Sequence, residues 1–71
     1  MNEIIELVYI IEELKKDEID FNLIDNKIKE IKGIIIKYPK LDWDFLNDIR
    51  KKDKNDIENW INICIKTVHV L

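Results

Sequence analysis

Few side chains in this 71-residue chain are able to do covalent or metal chemistry, and their spacing keeps them apart. Cys64 is the single thiol and His69 the single imidazole. Five positions along a helix is a rotation of about 140°, so the two cannot converge on one ion. Cys64 also falls on an apolar stripe between Ile61 and Val68, where a thiol is desolvated, keeps its proton and is inert. Paired carboxylates occur at Glu12-Glu13, at Asp17-Glu18 and at Asp42 with Asp44. The segment from Asp42 to Asp48 lacks the glycine that a calcium loop needs at its sharp turn, and it carries Trp43, Phe45 and Leu46 inside the would-be loop. A lone glycine, Gly33, rules out a Gly-rich phosphate loop, and the chain has no Ser to serve as a nucleophile. No set of nucleophile, base and orienting group can be assembled. The expectation is a protein that is not an enzyme, with no catalytic, cofactor or metal residues.

One basic cluster stands out: Arg50, Lys51, Lys52 and Lys54, interrupted by Asp53. Such a cluster at the junction of two helices would meet phosphates in a helix-turn-helix arrangement. The following helix, however, offers mostly Ile, Val and acids where base-edge readers would be needed. A solvated helix end explains the cluster equally simply.

The elements that position these residues are read from apolar spacing. Ile4, Leu7, Val8, Ile11 and Leu14 fall on one helical face, which predicts a helix over about Asn2 to Lys16. After the acidic break at Asp17 to Asp20, Ile24, Ile28, Ile31, Ile35 and Tyr38 make a second stripe on one continuous helix that Pro39 ends. Asp42 is placed to cap a short third helix, with Leu41 and Leu46 as a hydrophobic staple and Phe45, Leu46 and Ile49 as its apolar face. Asn55 and Glu58 have capping-box spacing for a fourth helix, on which Ile57, Trp60, Ile61, Cys64, Val68 and Leu71 share a face. The expected fold is all-α: one small domain over residues 1–71, with about four short helices packed as a bundle or an orthogonal array. The alternative is α+β, with the β-branched runs near 33–38 and 63–70 as short strands.

Several apolar residues fall outside these stripes. Ile5 and Tyr9 leave the main face of the first helix together, flanked by Glu12 and Lys16, and Ile36, Trp43, Ile63 and Val70 depart from theirs. So small a core should not need them all, and exposed apolar groups with Tyr and Trp anchors are what partner interfaces use. The expected partner-binding residues are Ile5, Tyr9, Glu12 and Glu13, an apolar patch with an acidic rim, with Trp43 and Arg50 as a second site.

Composition bounds the rest. A single Cys cannot close an internal disulfide, which points to a reducing, cytoplasmic setting, and the acidic N-terminus does not read as a secretory signal. No apolar run approaches the ~18 residues that span a bilayer. The heavy use of Ile, Lys and Asn, with no Ala and one Arg, suits the AT-rich genome of a bacterium or phage. Net charge is −3, with eight acids against two lysines in residues 1–25 and seven acids against ten bases in residues 26–71. That balance argues against general nucleic-acid binding and favours a basic partner. The leading expectation is a small non-enzymatic interaction protein of the inhibitor, immunity or anti-defence kind that masks a surface of another protein. The alternatives are a self-associating structural or assembly subunit, such as a homodimer, using the same apolar residues, and a nucleic-acid regulator using Arg50, Lys51, Lys52 and Lys54.

Overall fold

The computed structural model of the chain describes residues 2–70. Asn2 opens the first helix, α1 (Glu3–Leu14), its side chain accepting a hydrogen bond from the Ile4 N–H at 2.9 Å. Leu7, Ile10, Ile11 and Leu14 are buried and Ile4 and Val8 half-buried, so the predicted face is the core face, widened by Ile10. α1 ends in a turn at Lys15, and Asp20 then caps α2 (Phe21–Ile28) by accepting from the Leu23 N–H.

The helix expected to run unbroken from Ile24 to Tyr38 is interrupted. A single 3₁₀ turn, Lys29–Ile31, separates α2 from α3 (Lys32–Lys37), and Ile31 leaves helical geometry at φ −119°, ψ 25°. A carboxylate from outside the helix sits at the break. Glu3 Oε1 accepts from the backbone N–H of Gly33 at 2.8 Å and, more weakly, from that of Ile34 at 3.4 Å. These are donors that a continuous helix would pair with carbonyls four residues back, and a negative group at a helix N-terminus is favourable. Gly33 makes room for it, because a Cβ there would collide with the Glu3 carboxylate. The break rotates the second stripe: Ile24, Ile31 and Ile34 are buried, whereas Ile28, Ile35 and Tyr38 are only half-buried.

Residues 38–43 form a turn held by two indoles. Trp43 Nε1 donates to the Tyr38 carbonyl at 2.8 Å, and Trp60 Nε1 donates to the Asp42 carbonyl at 2.7 Å. Trp43 immediately precedes α4 (Asp44–Asn47), and Asp42 Oδ1, one residue further back, accepts from the Phe45 N–H at 3.2 Å; Leu41 and Leu46 are both buried, as their staple positions require. A 3₁₀ turn at Ile49–Lys51 leads to α5 (Lys54–Val68). Its cap is Asp53, which accepts from the Asp56 N–H at 2.9 Å, not the expected Asn55. Asp and Asn cap about equally well in general, so a carboxylate two residues upstream, with extended backbone already in place, starts the helix earlier and leaves Asn55 and Glu58 exposed inside it. Ile57, Trp60, Ile61, Cys64 and Val68 line its buried face. Leu71, assigned to the same face from sequence, lies outside the described residues. α5 ends at Val68: the His69 N–H makes the last bond four residues back, to the Ile65 carbonyl at 2.8 Å, and the left-handed backbone of His69 (φ 58°, ψ 47°) then turns the chain out of the helix.

The fold is therefore all-α. Both β-branched runs are helical, 33–38 largely in α3 and 63–70 largely in α5, and no strand occurs among the described residues. Buried Ile and Val at helical spacing outweigh their strand preference because packing of an amphipathic face decides the conformation. α1 packs most closely on α2 and the 3₁₀ turn after it, while α5 stands further off and closes the core through large side chains. Trp60 is central to that closure, stacked on Phe45 (centroids 5.7 Å apart, 5° between planes) and meeting Trp43 edge-on at 6.0 Å.

Candidate functional site

Of the residues assigned to a partner patch, Ile5 and Tyr9 lie where the sequence places them. They are 51% and 54% exposed and one turn apart on the outer face of α1. Lys27 reaches across from α2, its ammonium 4.8 Å from the centre of the Tyr9 ring and 2.5 Å from Glu6 Oε2. Beside Tyr9 is a shallow depression of about 280 Å³, lined also by Glu12, Glu13, Lys16, Leu23 and Lys27. Glu12 is exposed and paired loosely with Lys15 at 3.4 Å.

Glu13 is not a free rim acid. Its side chain is buried, with Oε2 accepting from the Asp20 N–H at 3.0 Å and Oε1 from Lys16 Nζ at 3.0 Å. It ties the end of α1 to the start of α2. The Asp20 backbone donor, followed by the Lys16 ammonium, holds its carboxyl below the ordinary value of 4.5. The rim around Tyr9 is consequently mixed in charge, Glu12 against Lys16 and Lys27, and not the acidic border expected from sequence.

The second expected site does not assemble either. Trp43 is half-buried, packed edge-on against Trp60 and hydrogen-bonded to the turn, so it belongs to the core margin. Arg50 faces elsewhere, donating to both oxygens of Asp25 (2.9 and 3.5 Å) and lying 5.3 Å over the Phe21 ring. The basic cluster is similarly divided. Arg50 engages Asp25, Lys52 lies 5.2 Å over the Phe45 ring, and Lys54 pairs with Asp17 at 2.7 Å. Lys51 is exposed. Of the other apolar residues outside the stripes, Ile36 (80%) and Ile63 (55%) are exposed, while Val70 packs against the core.

Cys64 is fully buried, and burial pushes its thiol up to about 11. Among the described residues no three His, Cys, Asp or Glu side chains are grouped so as to hold a metal ion, and no helix is long and apolar enough to cross a membrane. Every buried side-chain nitrogen or oxygen among them has a hydrogen-bond partner.

Sequence reasoning missed a groove of about 580 Å³ between the end of α1, the 15–20 turn and α5. Its floor uses α5 residues already assigned to the core, so only the separation of the two helices reveals it. Compared with models of known protein families, with curated protein sequences and with solved structures, the chain matches none.

Proposed function

We propose that this protein is a non-enzymatic interaction module of the inhibitor or immunity kind, acting in the cytoplasm by covering a surface of another protein with the outer face of α1. The observation that carries the reading is the pair Ile5 and Tyr9. Both are more than half exposed on a helix whose other face already supplies Leu7, Ile10, Ile11 and Leu14 to the core. An exposed Tyr with an aliphatic neighbour one turn away is a common interface anchor, since it brings contact area with few rotatable bonds. The mixed rim of Glu12, Lys16 and Lys27 suits register and selectivity more than attraction to one sign of charge.

The test is site-specific cross-linking in the native host, with a photoreactive side chain at Tyr9 and a control at the exposed Asn26. The expected result is a discrete adduct with one other protein at position 9 and none at position 26. An adduct with a second copy of the chain would favour self-association, and no specific adduct at position 9 would overturn the reading.

A further inference from the structure

We propose that the groove between α1 and α5 is a second docking site beside the Tyr9 face, and that its occupant is an amphipathic helix of another protein whose apolar stripe is bordered by acidic residues. Ile57, Ile61 and Ile65 lie along its floor at intervals of four residues, over about 12 Å. Ile57 and Ile61 belong to the core, so the apolar surface within reach is the half-buried Ile65 with the half-buried Ile19 and Phe21 opposite. The groove is an open trough, and its length matches the two turns over which a docked helix presents anchors at i, i+3 or i+4 and i+7.

Charge selects the occupant. Lys15, Lys16, Lys52 and Lys54 border the groove against Asp17 and Glu58, an excess of positive charge on a chain whose net charge is −3. All four already have neighbours: Lys15 pairs with Glu12, Lys16 with the buried Glu13, Lys54 with Asp17, and Lys52 lies over the Phe45 ring. Lys16 is committed to Glu13, but the Lys15–Glu12 and Lys54–Asp17 pairs are exposed on both sides, and such pairs contribute little, so these two ammoniums are free to turn to an incoming carboxylate. Asp17 and Lys54 join the 15–20 turn to the start of α5 at the groove's edge, a contact between two exposed groups.

The experiment uses the whole protein, labelled with nitrogen-15, and two synthetic helical peptides of fourteen residues. One carries Leu on a single face and Glu elsewhere, and its twin has Lys in place of Glu. The Glu peptide is expected to bind saturably, about tenfold or more tighter than the Lys twin, although the protein's overall charge favours the twin. Amide shifts should centre on residues 57–65 and 15–21, and the double variant Lys15→Glu, Lys54→Glu should weaken binding by about tenfold. Equal or tighter binding of the Lys twin would overturn the proposal, as would shifts centred on Ile5 and Tyr9, or no saturable binding. Concentration-dependent shifts along the groove without peptide would replace the proposed occupant with a second copy of the chain. The two peptides are compared on the unaltered protein, so the outcome stands even if the double variant folds poorly.

Discussion

Single residues carry clear chemical assignments in this structure. Cys64 is enclosed on the inner face of α5 and titrates near 11, so little thiolate forms around neutral pH. Its reaction with an aromatic disulfide reagent should be at least ~100-fold slower in the folded protein than in denaturant. Labelling at the rate of a free thiol would contradict the burial. Glu13 makes the opposite case, a buried carboxylate that is paired and therefore held in its charged form. Its carboxyl lies below 4.5 in the folded state, so its stabilising contribution is complete above the usual glutamate range and is lost as pH falls through the lowered value. Around neutral pH, Glu13→Gln should be less stable than the unaltered protein in urea, and the gap should close in acid. A gap independent of pH would mean that the ion pair and the Asp20 hydrogen bond contribute nothing specific.

At the scale of elements, the starts of α2, α3, α4 and α5 are met by carboxylates, three local and one distant. Asp53→Ala should cost about 1 kcal/mol by urea unfolding, the usual loss on removing a cap, while Asn55→Ala should be close to neutral. The reverse order would restore Asn55 as the start of α5. The distant carboxylate is Glu3, at the N-terminus of α3. Gly→Ala within a helix normally gains up to about 1 kcal/mol, but at Gly33 the added methyl meets the end of the flexible Glu3 side chain, which must shift and weaken its bond to the Gly33 N–H, so the gain should be reduced. In a Glu3→Ala background the gain should return, a coupling of a fraction of about 1 kcal/mol in a double-mutant cycle. Additive effects would mean that Glu3 does not act at the break. These ends also mark how far the sequence could be read. The apolar spacing of α1 and α5 is local, and so were the helix ends at Asn2, Pro39 and Asp42. The break at Ile31 is not legible, because the carboxylate that meets it comes from Glu3, 30 residues before the Gly33 donor it accepts from. Glu13 looked like a rim acid because nothing local shows that Asp20 folds back onto it. Trp43 looked unpartnered because Trp60 is distant in sequence.

The whole molecule is as compact as its length allows, with a radius of gyration of 11.1 Å against about 11 Å expected for a chain of this size. A domain this small buries only about 60% of its unfolded surface, and its apolar residues divide between core and exterior. The core is one cluster built around Leu7, Ile10, Ile11, Ile24, Ile31, Leu46, Ile49 and Cys64, all of them fully enclosed. Ile5, Tyr9, Ile36 and Ile63 remain outside it. Two surfaces follow, the Tyr9 face with its mixed rim and the α1–α5 groove with its lysines, and Lys16 borders both. Which of the exposed groups serve another protein and which serve a second copy of this one is decided by the mass in solution. Light scattering on a size-exclusion column across micromolar concentrations should give a monomer of 8.6 kDa throughout, leaving the outer face of α1 free for a partner. A stable dimer that Tyr9→Asp dissolves would contradict the account, because that face would then be consumed by self-association.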